Sequence, residues 1–262
     1  MDRRKFLDMI ARGTAAAAWA TSRLGSKGAL FGAPSLISAA LLSPETGYPP
    51  RPGPEAARPK LIIPTDTPDR FKVKVMEFNP VPPIDPAAWQ LEIGGLVERP
   101  LKLKLADVRR LPRIKQSSRL KCVQCWSARI EWEGFRCGEL LRLARPKPAA
   151  SYVRFDCAEM YYDYVKVEEL LQPHTLFALG MNGEPLTPEH GAPMRLVMPS
   201  KYGYKSSKLI TRITLTDKGG QGVVADTWPY YSQTGDIEPG YDHPFDFPGQ
   251  TRKIKGGEIT EY

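Results

Sequence analysis

The chain has 262 residues with 22 glycines and 26 prolines, enough to bury a core without disulfide staples and too rich in helix breakers for a helical bundle. Its net charge is +8, but residues 1–60 hold nine Lys/Arg against four Asp/Glu (+5) while residues 61–262 hold 28 against 25 (+3). The basicity is concentrated at the N-terminal end, and no Lys/Arg run with interleaved aromatics occurs, which argues against a nucleic-acid partner.

The first residues account for that charge. Asp2-Arg3-Arg4-Lys5-Phe6-Leu7 is a twin-arginine signature, followed by the alanine-rich stretch from Ala15 to Ala20 and a second apolar stretch from Ala29 to Leu42. Signals of this kind export already folded proteins in bacteria, so residues 1–43 read as a leader and the chain as periplasmic. Arg23, Gly25, Ser26 and Lys27 interrupt the leader before it reaches the ~20 apolar residues of a spanning helix. An uncleaved leader would still act as an N-terminal anchor. Residues 44–60, with Tyr-Pro-Pro-Arg-Pro-Gly-Pro at 48–54, form an extended linker, and residues 61–262 form the folded domain.

Period-two alternation predicts half-buried strands over Phe71–Phe78 and Trp89–Ile93, the second closed by Gly94-Gly95. A strand over Leu101–Leu105 and a short helix over Ala106–Leu111 follow, with Pro112 ending the helix. Gly138–Ala144 has helical spacing and is stopped by Pro146 and Pro148. Tyr152–Cys157 and Tyr161–Val167 are strand-like, and Val167–Leu171 is a helical turn before Pro173. Arg195–Met198 and Leu209–Leu215 are strands, and the chain beyond Gly222 reads as irregular coil. The fold class is α+β, mostly β.

Four cysteines are present, and Cys122 and Cys125 form a lone C-x-x-C. A zinc site needs a second ligand pair, and only Cys137, Cys157 and scattered histidines are available. A c-type haem needs His after the second Cys, where Trp126 stands. A thioredoxin-like pair needs a helix start that Trp126-Ser127-Ala-Arg-Ile-Glu-Trp does not provide. About seventy residues later Arg195, Ser206, Ser207 and Lys208 assemble phosphate-binding chemistry: a planar fork of donors, then a small polar loop with an ammonium. Read singly, Arg195 also suits a surface ion pair, and Lys201, Lys205 and Lys208 are spaced like solvated charges.

Together, Arg119-Leu-Lys-Cys122-Val-Gln-Cys-Trp126-Ser127 and Gly191-Ala-Pro-Met-Arg195…Lys201-Tyr-Gly203-Tyr-Lys205-Ser-Ser-Lys208 resemble the molybdopterin-binding core of the sulfite oxidase superfamily. With Trp132-Glu-Gly-Phe135 added, the pattern is most similar to the branch of periplasmic protein-methionine-sulfoxide reductase catalytic subunits. The resemblance implies a sulfite-oxidase-type molybdopterin-binding fold and a Mo-molybdopterin cofactor. It implies Cys122 as metal ligand and catalytic residue, since a soft thiolate suits such a metal. Met76, Glu77, Cys157, His190, Arg195, Ser206, Ser207 and Lys208 are implied as cofactor-binding.

Departures from the branch are visible. Val73 stands where it has an Asn, Cys157 where it has a Thr, and His190 where it has an Asn. Gln124 replaces an acidic residue and Cys125 a small one. The implied reaction is two-electron oxygen-atom transfer in a monomer: reduction of a small-molecule or protein-bound sulfoxide, or a related S- or N-oxide. Electrons would come from a haem-containing partner, membrane-embedded or periplasmic. The rival enzyme reading is a sulfite dehydrogenase paired with a c-type cytochrome, its dianion met by Arg119, Arg129 and Arg154. A third reading is a metal-free interaction module that uses Trp228-Pro-Tyr-Tyr231 as its partner surface.

Overall fold

In chain order the strands are β1 (Gln90–Gly95), β2 (Leu101–Lys104), β3 (Ile114–Lys121), β4 (Ser127–Arg136), β5 (Tyr152–Cys157) and β6 (Tyr162–Lys166). They continue with β7 (Leu176–Met181), β8 (Glu184–Pro185), β9 (Arg195–Val197), β10 (Ile210–Thr216), β11 (Tyr241–Asp242) and β12 (Arg252–Lys253). Short helices α1 (Leu105–Arg109), α2 (Cys137–Ala144), α3 (Val167–Leu170) and α4 (Val223–Thr227) lie between them. The computed structural model describes residues 73–123, 126–243 and 249–254. The leader, the linker and Cys125 lie outside the described residues. Among the described residues no helix is long and apolar enough to cross a membrane.

Alternation builds the first sheet, of order β2-β1-β10-β5-β6. Leu91 and Ile93 of β1, Ile213 and Leu215 of β10, and Val153 and Phe155 of β5 are buried while their neighbours face outward. β1 and β10 run parallel, with Ile93 opposite Ile213, and the other pairs of this sheet are antiparallel. The second sheet has order β3-β4-β7-β8, with β9 also pairing β7. Phe177 of β7 touches Phe135 of β4 and, across the two sheets, Phe155 of β5 at ring-centroid distances of 5.6 and 6.1 Å. Gly134 allows the β4–β7 approach: a Cβ there would lie 1.9 Å from the Phe177 carbonyl oxygen, at a bulge in the pairing.

The helices follow the spacing read from the sequence. In α2, Cys137, Leu140, Leu141 and Ala144 form one buried stripe, and Arg145 ends the helix in the left-handed region. Two expectations differ. Val73–Phe78 pairs with no strand; its Met76 carbonyl takes a hydrogen bond from Lys208, and Phe78 packs edge-on against Tyr161 and Trp228. The chain beyond Gly222 is not coil throughout, since it contains α4 and the β11–β12 pair.

A buried ion pair ties the sheets to the loops. Lys205, in the 3-10 turn Gly203–Lys205, places Nζ 2.6 Å from Asp163 Oδ1 on β6, 2.6 Å from Tyr164 O and 2.9 Å from Gln233 O. Both side chains are almost fully buried. Lys205→Met strands a buried carboxylate and should destabilise the fold by about 3–5 kcal/mol in urea unfolding. The double variant Lys205→Met/Asp163→Leu should recover part of that loss.

Candidate cofactor site

Cys122 follows β3 directly, in the loop that closes the β3–β4 hairpin. Its amide donates to Trp126 O at 3.1 Å, and its side chain is buried. Three ties hold the loop. Lys121 bridges in parallel to Tyr202, where Gly203 permits close approach because a Cβ would sit 3.3 Å from the Lys121 carbonyl oxygen. Arg119 Nε donates to Pro199 O at 3.0 Å. From the C-terminal side His243 N donates to Val123 O at 2.6 Å, and His243 Nε2 lies 3.0 Å from the Tyr202 hydroxyl. The Cys122 loop and the Pro199–Lys208 segment are therefore neighbours in space, as the paired motifs suggest.

The second cluster is cationic. Arg195 opens β9 at 4% exposure, with its guanidinium 5.1 Å above the Trp132 ring. Nη1 donates to His190 O at 3.0 Å and Nη2 to Ser206 O at 3.5 Å, while Nε has no hydrogen-bond partner among the described residues. Burial alone pushes the Arg195 pKa down to about 10. Lys208 Nζ donates at 2.8 Å to both Met76 O and Glu189 O, gathering two distant segments. Burial, and then the Arg195 charge, bring its ammonium down to about 8 against the opposing pull of Glu159 and Glu77. The Ser207 hydroxyl is buried without a partner among the described residues. Gly191, at φ +104°, lets these cations approach, since a Cβ would come within 2.9 Å of Lys208 Cβ and 3.1 Å of Arg195 Cβ.

Such a cradle is chemically incomplete. A buried Arg195 and a half-buried Lys208, neither in an ion pair with a carboxylate among the described residues, together with unpaired Nε and hydroxyl donors, are costly unless an anionic acceptor joins them. Phosphate fits that donor set. The loop also carries backbone strain, because Leu209 is fully buried at φ +55°, a conformation that costs about 1–3 kcal/mol for such a residue.

The remaining expected residues divide. Met76, Glu77, Cys157, His190, Ser206 and Ser207 all lie around Lys208 and Arg195, by hydrogen bond, by charge or by chain adjacency. Ser206 supports the loop from within: its amide closes the 3-10 turn onto Gly203 O, and its hydroxyl accepts from Met198 N at 3.1 Å. It does not offer its amide as part of an anion cradle. The His190 ring is 2.9 Å from Thr187 Oγ1, and burial with the nearby Arg195 and Lys208 charges lowers its pKa, so the imidazole is neutral at neutral pH. Burial drives the Cys157 and Cys137 thiols well up, leaving both protonated.

Lys201 and Lys205 are not solvated charges. Lys201 bridges Glu169 and Asp236, and Lys205 meets Asp163. The arginines considered for a sulfite dianion do not converge. Arg119 and Arg129 face each other across β3 and β4, whereas Arg154 lies in the other sheet, bound to Asp156 and the Tyr164 hydroxyl. Among the described residues no three His, Cys, Asp or Glu side chains form a protein-only metal cage. A metal here would need a carrier that brings most of its ligands. Buried Glu159, absent from the sequence expectations, adjoins the cluster.

Residues 78–224 match the oxidoreductase molybdopterin binding domain model. The chain belongs to that family. Its cation cradle and its buried Cys122 loop suit the phosphate and the metal of that cofactor. The chain is 36% identical over 189 residues to the protein-methionine-sulfoxide reductase catalytic subunit MsrP of Gluconobacter oxydans, covering 64% of this chain and 58% of the relative. It is 32% identical to the Campylobacter jejuni protein of the same name, over 60% of this chain and 59% of that one. A third, from Xanthomonas axonopodis, is also 32% identical, over 73% and 63%. The chain thus spans less than two thirds of each of these relatives. Among solved structures, the sulfane dehydrogenase SoxCD of Paracoccus pantotrophus superimposes with a TM-score of 0.52 at 24% identity, over 66% of this chain and 46% of that one. The likeness establishes the mostly β molybdopterin fold.

The Lys208 ammonium gives a pH signature. It is charged below about 8 and neutral above, so an anion loses one of its cations as pH rises. Binding of inorganic phosphate by cofactor-free protein, measured by calorimetry, should weaken on the order of tenfold between about pH 7.5 and about pH 9.5. Lys208→Gln should flatten that profile.

Proposed function

We propose that this chain is the catalytic part of an exported molybdenum oxidoreductase that reduces methionine sulfoxide or a related S- or N-oxide. The observation that carries the reading is the Arg195–Ser207–Lys208 cradle, with its buried unpaired donors on Arg195 and Ser207, joined through the Tyr202 segment to the buried Cys122 loop. The relatives' common name supplies the substrate class. When bound, the Mo-molybdopterin cofactor supplies two-electron oxygen-atom transfer. The net reaction converts a sulfoxide, two electrons and two protons into a sulfide and water.

The chain's own residues bind and orient. Cys122 offers a thiolate to the metal, held in a loop whose amide and carbonyl groups are spoken for by Trp126 and His243. Arg195, Lys208 and the Ser207 hydroxyl take the phosphate, and Ser206 fixes the loop that presents them. Met76, Glu77 and Cys157 line the approach through Lys208. Neutral His190 keeps a ring nitrogen able to donate to, or accept from, a bound polar group. The twin-arginine pattern at residues 2–7 supports export to the periplasm, where a haem-containing partner would supply the electrons. Residues 1–43, 44–60 and 61–262 are its leader, linker and enzyme domain.

The deciding experiment is molybdenum and pterin analysis of protein made in a molybdenum-replete host, with paramagnetic resonance of the Mo(V) state and a Cys122→Ser control. Wild type should carry molybdenum stoichiometrically and reduce methionine sulfoxide with a viologen donor. The variant should show an altered or absent signal and at least roughly a hundredfold lower turnover. Well-folded wild type without molybdenum would leave only the interaction-module reading. Sulfite oxidation without sulfoxide reduction would favour the dehydrogenase.

A further inference from the structure

The phosphate cradle makes no use of Glu159, the most deeply buried carboxylate beside it. Glu159 lies in the turn between β5 and β6 at 4% exposure, and its Oε2 has no hydrogen-bond partner among the described residues. Three elements hold it in place. The turn is closed by Cys157 N on Tyr161 O at 2.9 Å and Met160 N on Cys157 O at 3.1 Å, with Met160 at φ +61°. Ala158 N donates to Leu209 O at 3.0 Å, next to Lys208. Asn79 Nδ2 donates to Glu159 O at 2.8 Å from the segment whose Met76 carbonyl receives Lys208.

The obvious partner does not engage it. Burial, helped by the Glu77 charge, raises the Glu159 pKa against the Lys208 charge and a hydrogen bond from the Asn79 backbone. Lys208 Nζ, however, spends its own hydrogen bonds on Met76 O and Glu189 O, and no ion pair to Glu159 forms among the described residues. A carboxylate beside a phosphate site repels phosphate, so this group cannot serve the anionic end of a ligand. The buried Oε2 is the oxygen still without a partner among the described residues, and burying such an acceptor is costly until a donor reaches it. A pterin carries such donors at the end opposite its phosphate: an amino group and neighbouring ring N–H groups, one of which suits the unpartnered Oε2.

We propose that Glu159 accepts the ring N–H donors of the pterin and so fixes which way round the cofactor lies against the Arg195–Lys208 cradle. The inference rests on the cofactor reading above and extends it to a residue outside both sequence motifs. Glu159 is a positioning residue: it holds the ring while other groups hold the phosphate and the metal.

Glu159→Gln keeps the shape but turns an amide NH2 toward N–H donors. Wild type and variant would be prepared both with cofactor and from a host unable to make pterin. Bound pterin would be measured as its fluorescent oxidised derivative before and after dialysis, alongside thermal midpoints of all four samples. The cofactor-free midpoints should coincide, while the variant should lose pterin at least roughly tenfold faster and show a smaller cofactor-induced rise in midpoint. Equal retention of pterin overturns the inference, as does a variant whose midpoint falls equally with and without cofactor, since the carboxylate would then serve the fold alone. Wild type that holds no pterin removes the cofactor reading itself, a result distinct from either.

Discussion

Two cations held close together, Arg195 buried and Lys208 half-buried, are the constraint around which this structure is organised. Arg195 and Lys208 repel each other and both lose hydration, so the fold must compress carbonyl groups around them: His190 and Ser206 for one, Met76 and Glu189 for the other. Those carbonyls belong to three separate stretches of chain, since Glu189 and His190 share one turn. Gly191 lacks the Cβ that would separate the cations, and Leu209 takes a strained backbone conformation to bring the loop into β10. Such a cluster persists because two sheets and their interlocked phenylalanines fix it from outside.

The same logic explains how two motifs seventy residues apart meet. β3, β4, β7 and β9 share one sheet, so Cys122 at the end of β3 and Arg195 at the start of β9 are carried by one rigid body. The Pro199–Tyr202 stretch then returns to the Cys122 loop through Arg119 and the Lys121–Tyr202 bridge. Lys201 and Lys205, which lie inside the second motif, serve this return path by pairing with Glu169, Asp236 and Asp163 rather than with a ligand. Charge in a motif thus has two destinations, and burial with a carboxylate partner separates the structural from the ligand-facing.

Much of the first sheet was legible because its strands are half-buried and alternate cleanly, as in β1, β5 and β10. The second sheet was not. β3 carries Lys, Gln, Ser and Arg, and its last four residues are buried on both faces, so it shows no period of two, whereas β4 does alternate over Ala128–Glu133 and its signal was passed over beside the Cys122 motif. β7 is apolar on both faces and gives no alternation either. Val73–Phe78 shows the converse: alternation with no strand paired to it among the described residues. In the site, Arg195 and Lys208 were legible from residue type and spacing. The role of Ser206 was not, because it depends on where its amide points. Glu159 was invisible because a single glutamate in a turn has no signature until its burial is seen.

The clasp of His243 on Val123 bears on the order of assembly. The loop that holds Cys122 is sealed by a residue some 120 positions further along, hydrogen-bonded in turn to Tyr202 and backed by the Tyr231 hydroxyl on the His243 carbonyl. Contacts of such sequence separation form late, after the local hairpins. A nascent chain interrupted before His243 would therefore have its sheets but an open thiol pocket. The Cys122 loop becomes enclosed only in a chain synthesised almost to β12.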